Sequence, residues 1–407
     1  MFVVYATPFF RTDTPLFAKG MLDLEGVRLG VISQDPLEMV PDWVRTRLSD
    51  YVRINDPLSV DEIGHAARQL QAKHGKIERL LAINEQIQMP VAQVRDRLDI
   101  AGMQPDTVIN FRDKSKMKSL FRAHGVPCAR SRSVTDEKEA WKFIDEIGFP
   151  VCVKPVDGAA AQSTYRVENA EAFKDVLRAS APSWEHPLQI EEFVTGQEHS
   201  FETISIDGKR HWHSLTRYHP TPLDVMRNPW IQWKIVLPRE IDTPQYDDIR
   251  VVAEKALTAL GVQSLLTHME WFRRTDGTLA VSEVGGRPPG AQIITLTNRA
   301  HDLDLYSEWA RLMIKNEFRA PTERKYAAGV AFLRGLGSGR VKAVHGLDWV
   351  LKQLGDMVMD YDRPSPGTPS AITYEGEGFV LVRHPETAKV EEALEAIVST
   401  VRVELVN

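Results

Sequence analysis

The sequence predicts a multi-lobed α/β protein in which a Rossmann-like, mostly parallel sheet comes first and α+β lobes follow. Three observations carry this reading. Residues 2–98 alternate short apolar runs with amphipathic helical stretches, the pattern of βα units. The small-residue segment 155–164 separates two strand-like runs. Asp-Gly lies twice between strand-like runs, at Asp207-Gly208 and Asp276-Gly277, the strongest short hairpin signal. A chain of 407 residues has material for about two to four units with real cores.

Taken in order, 2–6, 28–33, 51–54 and 79–83 read as short buried strands, and 57–73 and 90–98 carry helical spacing. No G-x-G-x-x-G follows the first strand, so dinucleotide binding is not supported. A second unit begins near Asn110. Asp113 can cap a helix with Met117, Leu120 and Phe121 on one face, which Gly125 and Pro127 end. A helix over 136–147 stops at Gly148. Strands at 151–154 and 163–167 flank the small-residue loop, and 188–194 is a further strand before a Thr-Gly break. Hairpins then pair 201–206 with 211–217 and 269–274 with 279–284, with a helix over 249–260 between them, closed by Gly261. From about Lys325 onward a small α/β segment is expected: 327–333, a helix over 346–354, 378–383 and a last helix over 385–400. There is no internal repeat and no low-complexity tract.

Composition excludes several classes. Hydrophobic residues make up 43% and charged residues 26%, which argues against extensive disorder. A formal net charge of −6 gives no bulk attraction to nucleic acid or anionic membranes, so neither is expected as a partner. No apolar run is long enough to span a bilayer, and no basic n-region precedes the first one, so no signal peptide is read. Cys128 and Cys152, the two cysteines, rule out a disulfide scaffold and a four-thiolate metal site. They fit a reducing compartment, and a cytoplasmic location is expected.

The second hairpin allows sharper reasoning. A two-residue turn at Asp276-Gly277 sets Thr275 opposite Thr278 and, counting back along both strands, Glu270 opposite Glu283. Such pairs lie about 4.5–5.5 Å apart at Cβ, and like charges there repel. Two opposed carboxylates are kept where they hold a cation or share a proton. Hard oxygen ligands favour Mg²⁺, which commonly takes one or two carboxylates plus substrate phosphates. His268 falls on the same face by strand alternation. The plain alternative is two solvated glutamates, and a bulge would shift the pairing by one. After Glu283 the chain runs Val-Gly-Gly-Arg-Pro-Pro-Gly, a glycine-rich exit with Arg287 suited to an anionic ligand.

Three further signals are weak singly. Lys154 ends an apolar strand before the small-residue loop, where backbone N–H groups can approach phosphate oxygens and a lysine supplies a point charge. An ordinary turn is the plain alternative. Glu191-Glu192-Phe193-Val194 precede Thr195-Gly196-Gln197-Glu198; an extended segment can read adenine through its backbone, and a carboxylate further on can accept both ribose hydroxyls. Asp113-Lys114 open a helix. In this order, with the Glu270/Glu283 pair and Arg287 last, the chain resembles the ATP-grasp superfamily. It is most similar to the carboxylate–amine ligases of the L-amino acid ligase (dipeptide synthase) type and more distantly to biotin carboxylase. DKSKMKSLFRAHGVP resembles the family's entry helix, and GFPVCVKP its second lysine strand.

The resemblance implies an ATP-grasp architecture: a Rossmann-like pre-ATP-grasp domain at 1–110, a small lobe with a phosphate loop at 111–195, and a large lobe with the metal and substrate site at 196–407. It implies that Lys114 and Lys154 contact ATP phosphates, Lys154 also lying near the adenine. Glu191 would meet the adenine amino group, the backbone of Phe193 and Val194 the ring, and Glu198 the ribose. Glu270 and Glu283 would hold magnesium, with manganese as the other ion such a site takes. Arg287 would bind the reacting carboxylate or stabilise the tetrahedral transition state, and Arg217 would stand near the γ-phosphate. Two departures appear: the loop from Asp157 to Ser163 has fewer glycines than the family's, and Gly285 stands where an Asn often supplies a metal ligand.

The function implied is ATP-dependent ligation. A substrate carboxylate, expected to be an amino acid, is phosphorylated to an acylphosphate and joined to an amine, releasing ADP and phosphate. A homodimer is one assembly this allows. The rivals are a bicarbonate-activating carboxylase and a non-catalytic nucleotide-binding protein. His211, His213 and His219, with Trp212, Tyr218, Trp230 and Trp233, read as a substrate-facing loop with an aromatic wall. Gly335-Leu-Gly-Ser-Gly-Arg340 reads as a turn, and Cys152 as packing.

Overall fold

The computed structural model describes every residue except 12, 156–164, 229–230, 372 and 407. The small-residue loop and Trp230 therefore lie outside the described residues. The first four strands, β1 (Phe2–Thr7), β2 (Arg28–Ser33), β3 (Asp50–Arg53) and β4 (Ile77–Leu81), form a parallel sheet in the order β3-β2-β1-β4. Every residue of β1 is buried. Phe2, Val4 and Ala6 meet the helices Val60–His74 and Gln88–Arg97, while Val3 and Tyr5 meet the helices Thr14–Leu22 and Leu305–Lys315. Burial on both faces explains the unbroken apolar run.

The helix Thr14–Leu22 has no counterpart in the sequence reading. Thr14, Pro15, Phe17, Ala18, Gly20 and Met21 are all buried, so it lacks the polar stripe that marks an amphipathic helix. A Cβ at Gly20 would stand 2.6 Å from the carbonyl oxygen of Tyr306. Glycine is what lets these two helices approach so closely.

The second sheet is antiparallel, in the order β5-β8-β6-β7, from β5 (Ser131–Val134), β6 (Val151–Pro155), β7 (Tyr165–Val167) and β8 (Leu188–Glu192). Its helix Glu137–Ile147 begins at Asp136, whose side chain accepts from Glu139 N–H, and ends at Gly148. The helix Lys114–Ala123 likewise begins with Asp113 accepting from Lys116 N–H. Each such cap contributes about 1 kcal/mol.

The third sheet contains eight strands in the order β13-β12-β9-β10-β11-β14-β17-β16. They are β9 (Gly196–Ile206), β10 (Lys209–His219), β11 (Lys234–Leu237), β12 (Leu265–Arg274), β13 (Leu279–Gly285), β14 (Ala327–Leu333), β16 (Val358–Asp362) and β17 (Gly378–His384). The C-terminal segment is thus continuous with this sheet, and the short β11 makes the join by pairing with both β10 and β14. A separate two-stranded sheet pairs β15 (Arg340–His345) with β18 (Arg402–Val406).

The two hairpins differ at their tips. Asp207 and Gly208 both have positive φ, at 48° and 78°, and Ile206 pairs with Lys209, as in a two-residue type I′ turn. The β12–β13 turn is longer than expected. Arg274 N–H donates to Thr278 O and Gly277 N–H to Arg274 O, with Gly277 at φ 84°, so the loop holds three residues. A bulge between Glu270 and Trp271 on the pairing ladder then restores the register, and Glu270 does stand opposite Glu283.

Candidate active site

A cavity of about 630 Å³ lies where the three large sheets meet. The second sheet contributes Lys154, Glu191 and the Glu192–Gly196 connection. The third sheet contributes Glu198, His268, Glu270 and Glu283. Asn84 and Glu85 follow β4 at the carboxyl edge of the parallel sheet, the edge where open α/β sheets bind ligands. Lys114 enters from the start of its helix, and Arg287 from the loop after β13.

The charges are arranged in three groups. In the first, Glu191 forms ion pairs with two lysines: Lys154 Nζ is 3.2 Å from its Oε1, and Lys118 Nζ 3.6 Å from its Oε2. All three side chains are buried. Burial opposes ionisation of Glu191, yet Lys118 and Lys154 hold its carboxyl below the usual range. Burial likewise opposes the Lys154 charge, and Glu191 outweighs it and raises the pKa. Lys118 also donates to Val281 O at 3.1 Å.

The second group is the carboxylate pair. Glu283 Oε2 lies 3.2 Å from Lys114 Nζ, and despite burial Lys114 and Lys154 keep its carboxyl below the ordinary value. On the facing strand, His268 bridges two carboxylates, with Nδ1 2.8 Å from Glu202 Oε1 and Nε2 3.6 Å from Glu270 Oε1. Burial disfavours its charge, but these two partners raise its pKa to about 9. Glu202 is 1% exposed and also accepts from Thr216 Oγ1.

The third group holds Arg287. Its Nε donates to Glu85 Oε2 at 2.5 Å and its Nη1 to Pro288 O at 2.8 Å. Arg112 binds the other oxygen of Glu85. Burial opposes the Glu85 charge, and Arg287 and Arg112 overcome it. A Cβ at Gly285 would lie 3.5 Å from Glu85 Oε2, so this carboxylate borders the room that a longer side chain at 285 would fill.

Glu198 stands apart. It is 8% exposed, lines the cavity, and forms no ion pair or hydrogen bond among the described residues. Burial, then Glu270 and Glu283, push its carboxyl well above the ordinary range. A buried acceptor without a donor fits a hydroxyl-bearing ligand. Among the described residues no three His, Cys, Asp or Glu side chains cluster as a metal cage. The opposed Glu270/Glu283 pair offers carboxylate oxygens of the kind a hard divalent ion takes.

Arg217 is not brought to the cavity. Its guanidinium donates to the Tyr246 hydroxyl at 2.6 and 3.1 Å and pairs with Glu391 at 3.2 Å. Tyr218, the next residue on β10, lines the cavity instead. Consecutive side chains on a strand point to opposite faces, so one position decides the matter. The histidine reading is corrected as well: His213 stacks on Phe201 and faces Asp242, and Trp212 packs beside His301 in the core. Tyr218 and Trp233 alone of that group line the cavity among the described residues. Cys152 lines it too, its thiol pushed up to about 11 by burial.

Sequence reasoning missed Lys118 and Glu85. Lys118 lies four residues after Lys114 on one helix, hence on the same face. The signal for Glu85 was its place just after a strand of the parallel sheet.

Residues 119–300 match the family described as ATP-grasp domain. The chain is 23% identical over 239 residues to an L-arginine-specific L-amino acid ligase of Bacillus subtilis, covering 58% of this chain and 57% of that one. It thus spans little more than half the length of that relative. A solved L-amino acid ligase from Bacillus licheniformis has a TM-score of 0.81 at 19% identity, over 100% of this chain and 99% of that one. The biotin carboxylase domain dimer of Hydrogenobacter thermophilus 2-oxoglutarate carboxylase, solved with MgADP, ADP and bicarbonate, has a TM-score of 0.70 at 15% identity, over 99% and 90% of the two chains. At these identities the structural likeness establishes the fold.

Proposed function

From the premise that residues 119–300 match the ATP-grasp domain family, we propose an ATP- and Mg²⁺-dependent carboxylate–amine ligase that forms ADP. The observation that supports it most is the meeting of Lys114, Lys154, Glu270, Glu283 and Arg287 around one cavity. We assign residues 1–110 to a pre-ATP-grasp domain, 111–195 to a small lobe and 196–407 to a large lobe.

Bound Mg²⁺–ATP supplies the γ-phosphoryl group and an electrophilic phosphorus. In this reading Glu191 accepts from the adenine amino group, the Phe193–Val194 backbone flanks the ring, and Glu198 accepts from the ribose hydroxyls. Lys114 and Lys154 neutralise phosphate charge, and Glu270 and Glu283 hold the magnesium. Arg287 binds the substrate carboxylate, with Glu85 fixing the guanidinium from behind. A carboxylate oxygen attacks the γ-phosphorus and ADP leaves. The amine then attacks the acyl carbon, phosphate leaves, and an amide remains. Fixed positive groups around the transferring phosphoryl favour this build-up of charge. The acid is read as an amino acid, because the two amino acid ligases are similar in sequence or fold.

The test is to incubate the protein with ATP, magnesium, an amino-acid panel and hydroxylamine, then separate the nucleotides. ADP together with a hydroxamate is expected. AMP with pyrophosphate would overturn the mechanism. ADP formed only with bicarbonate would favour the carboxylase reading, which the likeness to the bicarbonate-bound structure keeps in view. Tight ATP binding without turnover on any acid would point to a non-catalytic protein.

A further inference from the structure

A second cavity, of about 460 Å³, lies behind the Gly286–Pro288 loop. Arg287 and Pro288 line both cavities, so this loop is the wall between them. The second cavity is basic. Arg79, Arg95 and Arg287 reach it, against one carboxylate, Asp207. Asp207 is exposed at the rim and already accepts from Asn316 Nδ2 at 3.0 Å.

The arginines are only half used. Arg79 donates through Nε to Met313 O at 3.1 Å and through Nη1 to Glu78 O at 2.8 Å. Arg95 donates through Nε to Leu80 O at 2.8 Å and through Nη1 to Met103 O at 2.9 Å. In each, Nη2 donates to no group among the described residues. Arg95 is 5% exposed and has no carboxylate partner; burial draws its pKa down to about 10.

Arg324, the other arginine in the buried class among the described residues, differs from Arg95. It is 4% exposed and also lacks a carboxylate partner, yet Nε bonds His301, Nη1 bonds two carbonyls and Nη2 bonds Ser214. A buried cation that keeps free donors beside a cavity is costly unless an anion completes it. Gly102, Gly208 and Gly286 also line the space, and Ser264, Gln263 and Asn316 add neutral polar groups. Such a lining suits a small, multiply hydrogen-bonded anion.

We propose that this second cavity binds a small oxyanion, carboxylate or phosphate, held by Arg79 and Arg95 at the back of the Arg287 loop. The site is separate from the nucleotide cavity and does not depend on the ligase reading.

Titration calorimetry without nucleotide tests this, with inorganic phosphate and succinate as separate probes of the full-length chain. Binding of at least one probe is expected, and the tighter of the two identifies the chemistry. The affinity should survive Lys154→Ala, which removes a lysine of the first cavity. It should fall by about tenfold or more in Arg79→Gln, the worth of one charge-assisted hydrogen bond. Arg95→Lys, which keeps the charge and shortens the fork, should weaken it too. Circular dichroism of each variant confirms the fold, and Arg79→Gln alone suffices should Arg95→Lys not fold. No binding of either probe, loss of binding in Lys154→Ala, or unchanged affinity in a folded Arg79→Gln would overturn the proposal.

Discussion

Glu283 lies opposite Glu270 and 3.2 Å from Lys114, so in the proposed site one carboxylate would serve both a metal and a lysine. Glu283→Gln should lower kcat by at least about a hundredfold, since a bound metal supplies several kcal/mol of transition-state stabilisation. Its circular dichroism should stay native; near-normal turnover at saturating magnesium would remove Glu283 from the mechanism. In the proposed mechanism Glu85 would act through Arg287, to which it is bonded. Glu85→Gln should cost about tenfold in kcat/KM for the acid, from a weakened charged hydrogen bond, with ADP affinity unchanged. His268 gives a pH dependence. Its folded pKa of about 9 lies above its ordinary 6.5, so its contribution to stability is fully present below pH 6.5 and is lost as pH rises through 9. Metal-free protein should lose up to about 3 kcal/mol over that window, and His268→Gln should flatten the profile in urea titrations at several pH values. That Lys114, Lys154, Glu270 and Glu283 gather at one cavity was legible for the lysines through the family resemblance and for the glutamates through hairpin register. Glu202 was not, since nothing beside it in sequence shows that it touches His268 from the neighbouring strand.

At the scale of elements, the β12–β13 hairpin places both carboxylates, and it does so through two irregularities. A three-residue loop replaces the two-residue turn, and a bulge near Glu270 compensates. The sequence predicted the right pairing on a wrong turn, because Asp-Gly serves both loop types and a bulge leaves no local signature. The entry to β9 is tighter still. Gly196 has φ 151°, and a Cβ there would stand 2.1 Å from Arg273 O. Gly196→Ala should destabilise by about 3 kcal/mol, from strain and a backbone clash, as read in chemical denaturation. It should also displace Glu198, two residues on, and weaken ADP binding.

Over the whole molecule, the cavity draws on three sheets, so a ligand bridging them should stabilise all of them together. MgADP at about one hundred times its Kd should add about 2.7 kcal/mol, seen as a rise in Tm. Lys154→Ala should reduce that rise at the same ligand concentration. A rise equal to the wild-type one would mean that Lys154 does not face the nucleotide. The basic second cavity belongs to this scale as well, since β4, the helix Gln88–Arg97, the β9–β10 turn and the helix Leu305–Lys315 must all assemble to enclose it.

Sequence by itself determined the elements whose causes are local. Asp113 and Asp136 cap their helices through their own side chains, Gly148 and Gly261 stop helices at positive φ, and Asp207-Gly208 turns a hairpin. It also determined the order of lysines, glutamates and Arg287 along the chain. Tertiary structure decided what depends on facing and contact between distant segments. Arg217 points away because it sits one position from Tyr218 on β10, and the pleat reverses direction at every residue. The helix Thr14–Leu22 formed without an amphipathic stripe because it is packed on more than one side. Glu85 met Arg287 across 202 residues of chain, a contact that no local rule of propensity or spacing encodes.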